Sequence, residues 1–303
     1  NPKDRYHFTR DTAEYLAESE QGLTFGYGAT YRLISTSPPR ELVIALVQAD
    51  SPAAQAGLER GARIVTVDGV DLVNGTDAAT LNAGLWPGQI NEEHTFEVLD
   101  PGASEPRSVT MRSGQISTDA VPKTRILDTD SGKVGYLLFT DHILTAEQQL
   151  IDAITEMRNE SITDLVLDLR YNRGGYLYLA NQISYMIAGA GVSGQVFNSL
   201  QFNEKSPGVN PVTGGAVRPD TFLTTSTENA AAPGSALPTL ALPQQRVFVL
   251  TTGSTCSASE AIGHASDARL STSASLAAPS ISRKPPQIFE TSFCAASSAH
   301  AIS

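Results

Sequence analysis

The stretch Asp164-Leu165-Val166-Leu167-Asp168-Leu169-Arg170-Tyr171-Asn172-Arg173-Gly174-Gly175 decides how this 303-residue chain is read. Its first half is a continuous apolar run, the pattern of a strand buried on both faces of a parallel sheet. It breaks at two adjacent glycines, and a helical segment from about Tyr176 to Ile187 follows. Adjacent glycines at the carboxyl end of a parallel strand let backbone N–H groups approach a ligand closely. A plainer reading is also open: a tight β-to-α turn in which the glycines supply φ > 0 and Asn172 caps the helix.

Working outward, Val134-Gly135-Tyr136-Leu137-Leu138-Phe139 reads as the preceding strand. Thr145-Ala146-Glu147-Gln148 has the arrangement of a capping box, opening a helix with Leu150, Ile151, Ile154 and Met157 on one face. Strand, helix and strand make a βαβ unit, so the domain has a mostly parallel sheet. Residues 117–130 are polar and turn-rich and read as a linker. Residues 202–245, dense in Pro, Gly, Ser, Thr and Asn, read as a long loop to which no site is assigned. Beyond it, Arg246-Val247-Phe248-Val249-Leu250 is a short buried strand that runs into Thr251-Thr252-Gly253-Ser254-Thr255-Cys256-Ser257-Ala258-Ser259-Glu260. A strand that breaks through small hydroxyl residues into a helix can hold a serine at a sharp turn beside helix-end N–H groups. An acyl-transfer nucleophile needs such groups for its oxyanion. Serine also caps helices without any chemistry, and this run alone leaves both readings open.

The amino-terminal third has a different texture. Residues 1–20 have helical composition without a start signal of their own, as the remnant of a helical segment would. Leu23-Thr24-Phe25-Gly26-Tyr27-Gly28 is a glycine-punctuated loop entering a strand, and residues 41–47 form a second strand. Ser51 and Pro52 start a short helix as N-cap and first helical residue, with Gly61 as its stop. Asp68-Gly69 turns a tight hairpin, and residues 95–99 and 108–111 alternate as closing strands around Asp100-Pro101-Gly102. Over residues 20–115 this pattern resembles a PDZ domain of the bacterial protease type. Such a domain adds a peptide as an extra strand and holds its terminal carboxylate on loop N–H groups. The resemblance places that nest at Phe25, Gly26, Tyr27 and Gly28, which otherwise make a simple turn into a strand.

Composition narrows the classes. Hydrophobic content of 41% and charged content of 17% describe a globular chain, long enough for two domains. A formal net charge of -11 argues against nucleic acid and anionic membranes as partners. No apolar run reaches the roughly 20 residues of a membrane span. Asn1-Pro2-Lys3-Asp4 reads as a mature or trimmed start, so the compartment is not legible there. Cys256 and Cys294 allow one disulfide without requiring it, and neither they nor the five histidines have metal-site spacing. No metal or other cofactor is expected.

Asp-Leu-Arg-x-Asn-x-Gly-Gly, the later Ser-Ala-Ser-Glu and the preceding PDZ pattern, taken in order, resemble the C-terminal processing (tail-specific) serine proteases. The strand at residues 134–139 is similar to that family's Val-Gly-Tyr-Ile strand. The resemblance implies an α/β catalytic core with a ClpP/crotonase-like βαβ sheet plus a small α+β PDZ domain. It divides the chain into a remnant at 1–20, a PDZ domain at 21–115 and a protease core at 116–303, with an atypical, Ser/Ala-rich tail at 261–303. It implies an endopeptidase that recognises polypeptide C-termini and cleaves with a Ser/Lys dyad. The nucleophile is Ser257, with Ser259 the competitor facing the helix. The base is Lys284, with Gln287 as its orienting glutamine. Ala258 and one of Gly174 and Gly175 form the oxyanion hole.

An unactivated serine needs such a base. A lysine with an ordinary pKa near 10.4 reaches neutrality only against about 4 kcal/mol of desolvation. The pattern departs from the family at Arg283, where a glycine normally precedes the lysine, and at Gln287, one place early. A histidine base, found in related proteases at the position of Leu138, is disfavoured because leucine accepts no proton. His142 and His264 read as surface or packing residues, and Cys256 as a buried thiol or half-cystine. The family's setting implies the bacterial periplasm or cell envelope. The rival readings are a catalytically silent PDZ-containing peptide-binding scaffold and an esterase using the same serine.

Overall fold

A computed structural model describes residues 9–202, 204–211, 213–243 and 246–267, the last four without their side chains. Lys284, Gln287 and Cys294 lie outside the described residues. The chain divides into two compact units. One takes Gly22–Asp119 with Thr9–Glu18, and the other begins at Ala120 and includes Ser19–Gln21.

Helix α1 (Thr12–Gln21) corrects the reading of residues 1–20, because it has a start of its own. Asp11 caps it, its side chain accepting Glu14 N at 3.0 Å, and Gly22 ends it at φ +68°. The first unit then runs through β1 (Leu23–Gly26), β2 (Ala29–Ser35), β3 (Glu41–Val47), α2 (Pro52–Gln55), β4 (Arg63–Val67), β5 (Val70–Asp71), α3 (Ala78–Leu85), β6 (Glu93–Leu99), β7 (Arg107–Arg112) and β8 (Gly114–Ser117). The main sheet has the order β2-β3-β4-β6-β7, with β5 on β4, while β1 pairs with β8. Strand β2 therefore has one open edge among the described residues. Ile44, Ile64, Leu72, Leu81, Leu85 and Phe96 fill the core, each contributing about 1.5–3 kcal/mol by burial.

Ser51 caps α2 as its sequence predicts, Oγ accepting Ala54 N at 3.2 Å. That helix stops after one turn, at Gly57 with φ +68°, and does not extend to Gly61. Asp68 and Gly69 both take positive φ in the hairpin that joins β4 to β5. Helix α3 has no counterpart in the sequence reading. Asp77 caps it, accepting Thr80 N at 3.1 Å and Thr80 Oγ1 at 2.7 Å, but two turns are too short for a period to register.

The second unit consists of β9 (Lys123–Thr129), β10 (Gly132–Leu138), α4 (Ala146–Asn159), β11 (Asp164–Asp168), α5 (Leu177–Ala188), β12 (Val196–Asn198), β13 (Asp220–Thr221), β14 (Arg246–Leu250) and α6 (Ala258–Asp267). Its main sheet has the order β14-β11-β10-β9; the first three strands are parallel and β9 is antiparallel. The segment read as a linker is thus partly strand. Strand β9 is an edge whose residues are all partly or fully exposed, so no apolar run announces it. Leu150, Ile154 and Met157 of α4 pack in one core with Leu165 and Leu167 of β11. Leu138, Asp168 and Leu250 are level in register. The chain therefore leaves all three parallel strands at the same sheet edge, where open α/β sheets place their sites.

The capping box expected at Thr145 does not form, because Thr145 makes no cap hydrogen bond. Glu147 turns inward instead, and its buried carboxylate accepts Gln182 Nε2 and Thr227 N, each at 2.7 Å, and the Thr227 hydroxyl. A buried carboxylate requires such donors, and here they come from distant segments that local spacing cannot reveal. The long stretch at 202–245 is correspondingly tied down in part. Asn181 bonds Thr221 O at 2.9 Å and Leu223 N at 2.8 Å. Leu237, Leu240 and Leu242 join the core.

Candidate active site

Ser257 stands on the turn between β14 and α6, one residue ahead of the helix. Its φ of +53° lies in the left-handed region, which residues with a Cβ seldom occupy. The residue is exposed. Glu260 reaches back to accept Ser257 N at 3.1 Å, and Ser257 O accepts Glu260 N at 2.9 Å. The helix start consumes the amide of Ser257, and the next amide, of Ala258, has no acceptor among the described residues. Unpaired amides at a helix N-terminus carry partial positive charge toward an anion. Ser259, by contrast, is 1% exposed and faces inward.

The hydroxyl residues before Ser257 fasten the turn to the chain that leaves β11. Thr252 Oγ1 donates to Arg170 O at 2.6 Å, Thr255 Oγ1 to Leu169 O at 2.8 Å, and Cys256 N to Asn172 O at 3.3 Å. Cys256 is buried. Both glycines of the adjacent turn have positive φ, +93° at Gly174 and +136° at Gly175. A Cβ on Gly174 would stand 2.8 Å from Ser257 Cβ and from Cys256 O, and 2.9 Å from Ala258 N. On Gly175 it would stand 2.5 Å from His142 O. Glycine is therefore required twice over, for conformation and for space.

The two glycines differ in their amides. Gly174 N donates to Asn172 Oδ1 at 2.9 Å. Gly175 is bracketed by His142 N donating to Gly174 O at 3.3 Å and Tyr176 N donating to His142 O at 2.9 Å. That is a parallel bridge, in which the N–H of the bracketed residue points away from its partner strand. Among the described residues the Gly175 amide has no acceptor. Nor does Asn172 cap α5: Tyr176 holds the N-cap position without a side-chain bond, and the Asn172 side chain serves the turn itself.

A charged network that sequence reasoning did not single out supports this edge. Asp168, with no exposure, accepts Tyr136 Oη at 2.7 Å, Arg170 Nη2 at 2.6 Å and Arg170 Nε at 2.9 Å. Burial alone would raise the Asp168 carboxyl; the hydrogen bonds from Arg170 and Tyr136 outweigh it and hold the group below the usual carboxylate range. Burial, with the Asp168 bond and charge added, pushes the Tyr136 hydroxyl up to about 12. The two aspartates inside the apolar run at 164–168 were the available signal. Each is held by an arginine, Asp164 by Arg246 with Nη2 at 2.7 Å.

In the first unit, the stretch read as a loop is strand in its first half: Phe25 and Gly26 end β1, paired with β8, and only Tyr27 and Gly28 link it to the open-edged β2. Gly26 and Gly28 have φ of +139° and +75°. Tyr27 is buried edge-to-face on Phe96 at 5.5 Å, while Phe25 is exposed. Tyr27 O accepts Ala53 N at 2.9 Å and Gly28 O accepts Gln48 N at 2.8 Å, which fixes the loop from behind. Burial, then the carboxylates of Asp68 and Glu92, drive the Tyr27 hydroxyl above its ordinary value.

Fold and site together define a two-unit protein whose second unit presents a left-handed serine against a Gly-Gly turn at the carboxyl edge of a parallel sheet. Residues 133–267 match the model of peptidase family S41, and residues 43–84 match that of a PDZ domain. The carboxyl-terminal-processing protease of Synechocystis sp. is 30% identical over 140 residues, 45% of this chain and 32% of that protein. The chloroplastic carboxyl-terminal-processing peptidase 2 of Arabidopsis thaliana is 28% identical over 167 residues, 53% of this chain and 32% of that protein. The chain thus spans about a third of these relatives. Its fold is also that of an S41 family crystal structure from Bacteroides fragilis, with a TM-score of 0.58 at 22% identity over 82% of this chain and 62% of that one.

Proposed function

We propose that the protein is a serine endopeptidase of the C-terminal processing type, with Ser257 as nucleophile. The carrying observation is Ser257 itself: exposed, left-handed, packed on Gly174, and flanked by the acceptor-free amides of Ala258 and Gly175. In this reading Ser257 Oγ attacks the scissile carbonyl carbon and its proton passes to the base. The electron pair displaced onto the carbonyl oxygen is met by the Ala258 and Gly175 amides. Collapse of the tetrahedral adduct expels the amine, which takes up the proton, and water then releases the acyl group from Ser257 by the same route. Lys284 as base and Gln287 as its orienting partner rest on family resemblance alone.

Substrate capture is assigned to the PDZ unit. A polypeptide would add as a strand along the open edge of β2, its terminal carboxylate held at Phe25-Gly26-Tyr27-Gly28. The test is a fluorophosphonate label together with turnover of an unfolded polypeptide. Label on Ser257 and complete loss of cleavage in Ser257→Ala are expected; a Ser257→Ala protein that still cleaves sinks the reading. Lys284→Ala is expected to abolish turnover while leaving peptide binding intact.

A further inference from the structure

His142 lies three residues past Phe139, the first residue beyond β10, and is 1% exposed. Its ring packs on Phe139 with centroids 4.4 Å apart. Its side-chain hydrogen bond identifies its tautomer. Asn172, wholly buried, donates Nδ2 to Phe139 O at 3.1 Å. A carbonyl only accepts, so that end of the amide carries the hydrogens and the other end is Oδ1. Oδ1 accepts Gly174 N at 2.9 Å and lies 2.9 Å from His142 Nδ1. An amide oxygen cannot donate, so Nδ1 carries the ring proton. Nε2 is buried and has no partner among the described residues. A second proton there would make an unpaired buried cation, and burial accordingly lowers the ring to about 4, against the opposing effect of the Asn172 bond. The ring is neutral at physiological pH.

Asn172 joins both halves of the candidate site. Its carbonyl accepts Cys256 N, next to Ser257, and its side-chain oxygen accepts Gly174 N. We propose that His142 is a positioning residue for acyl transfer: by donating Nδ1–H to Asn172 Oδ1 and pairing its backbone with Gly174 and Tyr176, it fixes the Gly-Gly turn and so aims the Gly175 amide. The inference rests on the reading of Ser257 as nucleophile. His142 touches no substrate in this scheme and acts through Asn172. A donor misplaced by about 1 Å costs on the order of 100-fold in rate, and that sets the scale expected here.

The experiment compares the parent protein with His142→Phe, which keeps a ring against Phe139 but loses the donor, and His142→Asn, whose amide can donate from near the Nδ1 position. In His142→Phe, kcat is expected to fall on the order of 100-fold with KM unchanged; His142→Asn is expected to recover the greater part of it. A His142→Phe enzyme with the parent's kcat overturns the inference, as does a folded His142→Asn enzyme no better than His142→Phe. Should the phenylalanine variant not fold, the ring 15N spectrum of the parent still decides. A neutral ring protonated on Nδ1 at neutral pH is required, and an Nε2-protonated ring or an imidazolium overturns the inference whatever the activity. A parent that neither cleaves nor takes label at Ser257 overturns the functional reading, and the positioning role falls with it. A parent that cleaves while His142→Phe matches it overturns the positioning role alone.

Discussion

Gly174→Ala puts the strongest demand on the proposed site. The new Cβ would meet Ser257 Cβ and Cys256 O at 2.8 Å and Ala258 N at 2.9 Å, two of them backbone atoms that no rotamer change can clear. Restoring an ordinary contact of 3.4 Å from 2.8 Å moves the serine turn by about 0.6 Å. The φ of +93° adds backbone strain of about 1–3 kcal/mol, which appears as lost stability. A displaced Ala258 or Gly175 amide costs about 3 kcal/mol of transition-state binding, on the order of 100-fold in kcat. The assay is turnover of an unfolded polypeptide under conditions where urea denaturation shows the variant fully folded. Gly253→Ala is the control: it lies on the same turn, has no heavy atom within 4 Å of its built Cβ, and has no positive φ. Its kcat is expected to match the parent's. A folded Gly174→Ala enzyme with the parent's kcat, or two alanine variants equally impaired, refutes the reasoning.

Three further outcomes follow from the same geometry. His142 is neutral in both folded and unfolded chains above pH 6.5, so it adds no slope there; between 6.5 and about 4 only the unfolded chain takes the proton. Stability therefore falls with falling pH through that window, by about 3 kcal/mol in all, and denaturation curves should show the slope flattened in His142→Phe. The lowered carboxyls of Asp164 and Asp168 weaken both proteins at acid pH and cancel in that comparison; equal slopes would contradict the assignment. Asp168→Asn removes the buried charge that holds Tyr136 and Arg170, and a loss of about 3 kcal/mol in urea denaturation is expected, with an unchanged midpoint counting against it. Gly28→Ala would drive a Cβ to 2.3 Å from Ser51 Cβ at φ +75°, so peptide binding by titration calorimetry should be lost while fluorophosphonate labelling of Ser257 persists.

The elements that periodicity or turn chemistry can announce were legible in the chain itself. The apolar run at 164–169, the one-faced helix beginning near Ala146, the Asp68-Gly69 hairpin and the Ser51-Pro52 helix start all stand where the residues place them. Each depends on neighbours within a few positions, which is the range over which sequence pattern carries information. Helix α3 and strand β9 escaped for the complementary reason: one is two turns long, and the other is an edge with little to bury. The Thr145–Gln148 motif misled because Gln182 and Thr227 compete for Glu147, and that competition exists only once distant segments meet.

The site divides in the same way. The order Gly-Gly, then Ser-Ala-Ser-Glu, carried the family resemblance that implies Ser257 as nucleophile, while the serine run by itself left plain helix capping equally open. Which glycine amide is left without an acceptor, which nitrogen of His142 holds the proton, and how Asn172 ties the two turns together came only from the fold. Those properties belong to hydrogen bonds between Asn172 and residues 30 and more positions away in sequence, His142 and Phe139. The parallel sheet creates these contacts because it brings the carboxyl ends of β10, β11 and β14 level at one edge.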